Sequence, residues 1–425
     1  MCFPYWSVVP FIAFLVSIGL MPLAASQWWH KNPNKILVSV IASLPVLVVV
    51  LQCNPDLLTR SLLDYFSFVT LIGSLFVISS GIYIKGEFAG TPLENTLFLA
   101  VGALLANVIG TTGASTVLIR PYIRANHARR HHAHLIVFFI FLVANIGGLL
   151  IPLGNPPFLG FLRVVPFLFT LSLAPQWLLA VAVLLIAFNF LDEYFFQKEE
   201  KATLGHVVEE IQPRRRLEVR GAVNVLYLFG VMGAAMLSGY LRWPRGIQEA
   251  MMLSMTLLSW YTTPRTLHKA NHFSFHPISE VAALFLGIFV TMIPALEILH
   301  AHAASLPFRQ PWQFFWLSGG LSGFLDNAPT YLTFAAMASG IAGGTAENFA
   351  PLLRSSLGTS LLAAISCGSV FMGANTYIGN GPNFMVKSIA EHQGIKMPSF
   401  TGYMVYTCAI LIPLFIIESL VFFRH

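Results

Sequence analysis

The chain predicts an all-α polytopic membrane protein: about ten transmembrane helices plus two re-entrant hairpins, arranged as inverted repeats with two broken helices. Three observations carry this. Of 425 residues, 56% are hydrophobic and only 10% charged, with a mean hydropathy of +0.72. A water-soluble chain of that make-up could not cover itself with polar groups. Runs of about 17–25 mainly apolar residues, the length that crosses a bilayer, recur along the sequence. Finally, two distant stretches interrupt their own apolar runs in the same register. One reads Asn145-Ile146-Gly147-Gly148 and then Leu153-Gly154-Asn155-Pro156-Pro157. The other reads Met372-Gly373-Ala374-Asn375-Thr376 and then Ile378-Gly379-Asn380-Gly381-Pro382-Asn383. Laying Gly154 on Gly379 places Gly148 on Gly373, Asn155 on Asn380 and Pro157 on Pro382.

The first half, residues 1–192, opens on a span from Ser7 to Ala25, followed by Trp28 and Trp29 at interfacial positions. No Lys or Arg precedes this run and no small-residue cleavage site follows it, so it reads as a span rather than a signal peptide. Further spans run from Ile36 to Leu51 and from Leu62 to Ile84. Residues 92–122 are too long for one simple span and have a polar middle, Gly110-Thr111-Thr112-Gly113-Ala114-Ser115-Thr116, which suggests a hairpin. The first broken helix follows at 135–161, then a span from Trp177 to Leu191. Residues 193–220 form the long polar linker between the halves. The second half, 221–425, supplies spans at Ala222–Leu241, Gln248–Tyr261 and Glu280–Leu299. A hairpin at 314–338 with the tip Asp326-Asn327-Ala328-Pro329-Thr330, a broken helix at 360–390 and a closing span at Tyr403–Phe423 complete it.

Net charge is +6, and its distribution sets an orientation. With the N-terminus outside, the densest basic clusters all fall inside: Arg120, Arg124, Arg129 and Arg130 after the first hairpin, and Lys198, Lys201, Arg214, Arg215, Arg216 and Arg220 in the linker. The second hairpin then enters from the face opposite the first, and both termini lie outside. Clustering in short loops explains the positive charge without nucleic acid. Cys2, Cys53, Cys367 and Cys408 are scattered without metal spacing or a repeat and say nothing about a disulfide framework. A helical bundle of this kind belongs to an inner or plasma membrane.

Breaking a helix inside hydrocarbon costs several kcal/mol (of order) per exposed backbone group, so a break persists where the freed groups bind something. Gly148, Gly154, Gly373, Gly379 and Gly381 allow the tight backbone. Pro156, Pro157 and Pro382 start a helix without wasting a donor. Ser115, Thr116, Asn145, Asn155, Asn327, Thr330, Asn375, Thr376 and Asn380 offer neutral oxygens suited to a monovalent cation that must also leave. Unwound carbonyls can join them. Asp326 is the one carboxylate among these motifs, and an ionisable group at that depth is a functional candidate by default. A carboxylate that holds either Na⁺ or H⁺, never both, couples the two flows. Capping the helix that starts near Pro329 would suit the same residue.

Other ionisable residues point elsewhere. Glu280, Glu297 and Glu418 fall near span ends, which predicts interfacial positions. Lys387 suits either charge balance in the second half or snorkelling to the surface. His127, His131, His132 and His134 cluster in a basic loop with no carboxylate or Cys nearby in sequence, which predicts a solvated face rather than a metal site. No Gly-rich phosphate loop precedes a Lys, so an ATP-driven motor is absent. No nucleophilic or carboxylate-rich constellation lies within the spans, which argues against an enzyme. No cofactor is expected, and no metal beyond a transported cation.

At Phe324-Leu325-Asp326-Asn327-Ala328-Pro329-Thr330 and Gly373-Ala374-Asn375-Thr376-Tyr377-Ile378-Gly379-Asn380 the chain resembles the ion-transporter superfamily. That group includes citrate carriers, divalent-anion symporters, arsenite carriers and a class of sodium/proton antiporters. The resemblance extends to Ile109-Gly110-Thr111-Thr112-Gly113-Ala114-Ser115 and Asn145-Ile146-Gly147-Gly148, nearly the whole chain. It implies a scaffold domain, a transport domain moving by elevator-like alternating access, and often a homodimer. The Ser-Asn-Thr tips of dicarboxylate members are absent here, whereas Asp-Asn-x-Pro is similar to the antiporter class. Similar proteins often carry Asp where this chain has Asn155, which implies a different proton stoichiometry. The leading expectation is Na⁺/H⁺ antiport with Asp326 as the shared carboxylate. The alternatives are a Na⁺- or H⁺-coupled citrate or carboxylate carrier, and an arsenite or oxyanion carrier.

Overall fold

Local chemistry sets many of the helix ends. Asn54, Thr91, Ser355 and Ser399 each accept from a first-turn amide of the helix that follows, and prolines recur in first turns, where the missing N–H costs nothing. The computed structural model describes residues 3–29, 31–85, 90–150, 165, 167–203, 218–241, 243–244, 246–271, 273–302, 308–343 and 349–424. Among them, seven helices are long and apolar enough to cross a membrane, with shorter apolar helices at Tyr5–Ile18, Ala133–Gly148, Val223–Ala235 and Thr330–Ile341. The protein is an all-α polytopic membrane protein.

One group of helices comprises α1 (Val9–Ala24), α2 (Asn32–Cys53) and α3 (Pro55–Ser79). On α2, Leu37, Ile41, Leu44 and Val48 are at least half exposed, an apolar stripe for lipid, while Lys35, Ser39, Ser43, Val46 and Val50 are buried on the opposite face. The strand β1 (Tyr83–Lys85) follows α3. Next come α4 (Pro92–Ala125), α5 (Ala133–Leu142) and α6 (Ala174–Thr203). Strand β2 (Glu218–Arg220) pairs antiparallel with β1, tying the linker's end to the first half and adding a small ribbon to the helical architecture. The polar segment from 193 begins as helix, because α6 continues to Thr203.

The second half continues with α7 (Val223–Leu241), α8 (Ile247–Thr262), α9 (Arg265–Ala270) and α10 (His276–Thr291). Helices α2, α3 and α10 share buried polar bonds: Ser39 Oγ donates to Ala283 O (2.8 Å) and Ser61 Oγ to Phe289 O (2.6 Å). The rings of Phe68 and Phe285 stack at 4.7 Å. Then follow α11 (Ile293–His302), α12 (Pro311–Ser322), α13 (Asn327–Ile341), α14 (Ser356–Phe371), α15 (Gly381–His392), α16 (Phe400–Tyr406) and α17 (Ile412–Phe422). A π-helical turn, Thr407–Leu411, joins the last two.

Helix α4 is two antiparallel limbs. Gly110 has φ 72° and ψ 159°, outside any helix. Asn95 and Asn126 exchange side-chain bonds of 2.8 Å although 31 residues apart. A continuous helix would hold them roughly 46 Å apart. Phe98 stacks on Tyr122 at 5.0 Å, nearer the turn. In the same way α12 and α13 fold back across Gly323–Asp326, bringing the ring of Phe314 to 6.3 Å from that of Phe334. From His134 to Leu149 every residue is buried, so the first break sits at the molecule's centre.

A polar clamp holds the base of the α4 hairpin. Arg129 reaches Asp192 (2.6 Å) and Glu199 (2.9 Å) on α6, and donates to Gly90 O (2.9 Å). Asp192 also takes bonds from Asn95 (2.9 Å) and His134 (2.9 Å). This corrects the expectation of a solvated histidine face without carboxylates. His134 is buried on Asp192, and His131 lies 2.7 Å from Glu199. The sequence hid both carboxylates because they lie on a helix more than fifty residues further on. Arg120, in the last turns of the α4 hairpin, is buried against the ring of Phe76 at 4.7 Å.

Candidate functional site

The two breaks meet. After α5 the chain tightens into a 3₁₀ turn, Ile146–Gly148. After α14 it does the same at Met372–Asn375, before α15 starts at Gly381. Asn145 Nδ2 donates to Ile140 O (2.8 Å) and to Asn383 Oδ1 (2.6 Å). Asn380 Nδ2 returns across the crossing to Ala144 O (3.0 Å) and Asn145 Oδ1 (3.1 Å). Asn383 Nδ2 then donates within its own break, to Gly373 O (2.8 Å) and Thr376 O (3.0 Å).

The hairpin of α12 and α13 seals the other side of the second break. Thr376 Oγ1 donates to Gly323 O (2.6 Å) and accepts from the amides of Ile378 and Gly379. Around one end of the Asn327 amide lie Ser322 Oγ (2.8 Å), Gly379 O (3.0 Å) and Ser369 O (3.1 Å). Three oxygens require that end to be the nitrogen. Ser322 Oγ donates in turn to Ser369 O (2.6 Å). A Cβ on Gly379 would stand 2.6 Å from Gly373 O and 2.8 Å from Ser322 O, so only glycine fits this crossing.

The freed backbone groups can be followed one by one. In the first break Ala144 O is taken by Asn380, Gly147 O by Trp177 Nε1 (2.8 Å) and Leu150 O by Thr170 Oγ1 (2.6 Å). The Leu150 amide donates to Asn107 Oδ1 (2.8 Å) on the α4 hairpin. In the second break Gly373 O and Thr376 O go to Asn383, Ala374 O to Tyr403 Oη (2.8 Å), and Asn375 O to Thr407 Oγ1 (2.9 Å). Side-chain donors therefore already satisfy the carbonyls that the sequence assigned to a cation. Two buried side-chain oxygens have no hydrogen-bond partner here: Asn375 Oδ1 and Ser115 Oγ.

Asp326 is half-buried at the N-cap position of α13, where its carbonyl accepts from Thr330 Oγ1 (3.1 Å). Gly148 donates its amide to Asn145 O (3.1 Å) inside the first turn. Thr116 is buried and bonded to Gly113 O (2.9 Å) on the α4 hairpin. Gly381 and Pro382 open α15. Gly154, Asn155, Pro156 and Pro157 lie outside the described residues. Asn145, Thr376, Asn380, Gly373, Gly379 and Asn327 thus share one network. The residues missed from sequence are Asn383, Ser322, Ser369 and Asn107. Asn383 carried a signal, an amide in the first turn of a helix opening at a break; the serines looked like ordinary small residues of packed membrane helices.

Beside the second break, Glu280 on α10 is buried and paired with Lys35 of α2, and it accepts from Ser388 Oγ (2.6 Å) of α15. Near the end of its span, it is thus packed inside the protein rather than left to solvent. Lys387 pairs with Glu391 (2.7 Å) and lies 5.4 Å from the ring centre of Tyr377. With Lys396 these groups line a cavity of about 340 Å³ between α2, α10 and α15.

Interrupted helices bonded to each other inside a polytopic helical body are the architecture of a membrane transporter. A family model described as "Putative citrate transport" matches residues 2–423, and the chain belongs to that family. No curated protein matches it.

Proposed function

We propose that the protein is a secondary active transporter that exchanges Na⁺ for H⁺, with Asp326 shared between the two ions. One observation carries this reading. At the crossing of the breaks the amide nitrogens of Asn145, Asn380 and Asn383 are already committed to protein acceptors, while on the second break Asn375 Oδ1 is a buried acceptor with no partner. A spare amide oxygen beside amide nitrogens that are already spent suits a cation or proton better than an anion. Asp326 adds the charge that lets one ion exclude the other. The hairpins would enter from opposite faces of an inner or plasma membrane.

The family match favours a second reading, a cation-coupled carboxylate carrier, and the cavity bearing Lys35, Lys387 and Lys396 gives it a physical basis. Purified protein in liposomes separates the two. Release of trapped ²²Na⁺ on imposing a pH gradient, without citrate, supports exchange. Citrate uptake that requires Na⁺ or H⁺, with no exchange in its absence, overturns the first reading in favour of the second.

A further inference from the structure

The sequence places Glu418 near the end of the last span, where an interfacial position is expected; the structure buries it completely. On α17 the buried stripe is Leu414, Phe415, Glu418 and Ser419, continuing from Leu411 of the preceding turn, an i, i+3, i+4 pattern with a carboxyl group in it. Both Glu418 oxygens are buried, and neither has a hydrogen-bond partner.

Among the described residues, the surroundings show no compensating charge. Phe415 packs against Phe315 of α12 and Phe371 of α14, and Ser419 Oγ accepts from Trp316 Nε1 (3.2 Å) of α12. The titratable group facing Glu418 from α14 is the Cys367 thiol, also fully buried. On α6, which packs against α17, the buried ionisable group among the described residues is Asp192, tied to Arg129 and His134. Arg309, Arg354 and Arg424, near the ends of α12, α14 and α17, are exposed. An ionised carboxylate with no partner costs far more in such a place than a neutral acid.

We propose that Glu418 is a proton-binding site separate from Asp326, holding H⁺ as a neutral carboxylic acid in this conformation. α17 follows the π-helical turn Thr407–Leu411, whose Thr407 bonds Asn375 O of the second break. Movement of that break therefore has a path to Glu418, and the acid exchanges its proton only when the α14–α17 contact opens. The charge state rests on geometry alone; a part in coupling rests on the reading of the chain as a proton-coupled carrier.

Infrared spectroscopy of the full chain in lipid at neutral pH tests the site. The carboxylic C=O band of a neutral acid should be present, be lost in Glu418→Gln and persist in Asp326→Asn. A spectrum in which Glu418→Gln removes no such band overturns the proposal. If the variant does not fold, isotope labelling of glutamate in the wild type should shift the band; a band that labelling leaves in place overturns the proposal. The pH profile of transport tests the coupling: Glu418→Gln should shift it or reduce the protons moved per turnover. A band lost with an unchanged profile and stoichiometry overturns the coupling role. Absence of transport in the wild type would sink the exchange reading while leaving the infrared result standing.

Discussion

Gly379, Asn383 and His268 show how much single side chains decide here. Gly379→Ala forces a methyl between Gly373 O and Ser322 O, and such overpacking should cost about 1–3 kcal/mol or more. A fall in the detergent-solubilised melting temperature would register it. Asn383 supports three bonds of the crossing. Its replacement by Ala strands Gly373 O and Thr376 O, with an expected loss of about 1–3 kcal/mol for each group left unsatisfied. Stability within error of wild type would contradict the crossing's bond pattern. His268 lies on α9, outside the spans, and its Nδ1 is 2.7 Å from Ser80 Oγ. Burial, and secondarily Arg120, holds its pKa below 6.5. A depressed folded pKa means its contribution is fully present above the unfolded value near 6.5. That contribution declines as pH falls through the lower folded value. Acid should therefore loosen α9, and His268→Gln should flatten that part of the stability profile. An unchanged profile would show that the imidazole does not govern it.

At the scale of elements, the hairpins and breaks act through their turns and clamps. Gly110 sits at φ 72° and ψ 159°, a region essentially only glycine adopts, so Gly110→Ala should cost about 1–3 kcal/mol from strain alone. Asp192→Ala leaves Arg129 and His134 without their shared carboxylate; breaking a buried pair in this way costs about 3–5 kcal/mol. Increased proteolysis at the base of the α4 hairpin would report it. The sequence revealed that residues 92–122 and 314–338 were interrupted, because Gly, Pro and polar residues stand out against an apolar background. It could not reveal what filled the breaks. The donors to the freed carbonyls, Trp177, Thr170, Tyr403 and Thr407, come from other elements. The same limit applies to Glu280 and Glu418. Their positions in sequence suggested the interface, whereas burial depends on which helix packs over that turn.

For the whole molecule, one group of helices is joined by bonds among α2, α3 and α10, and the breaks and hairpins form another around the Asn145–Asn380–Asn383 crossing. Glu280 bridges them through Lys35 and Ser388. If the basic linker is cytoplasmic, as the charge distribution predicts, a Cys placed in residues 193–220 should resist an impermeant thiol reagent applied outside intact cells. Ready labelling there would reverse the orientation. The coupling claim rests on Asp326, and a paired measurement in proteoliposomes addresses it most directly. A Na⁺ gradient should drive opposite proton movement in the wild type, and Asp326→Asn should abolish it while leaving the protein folded. Full Na⁺-driven proton movement in Asp326→Asn would contradict Asp326 as the shared carboxylate.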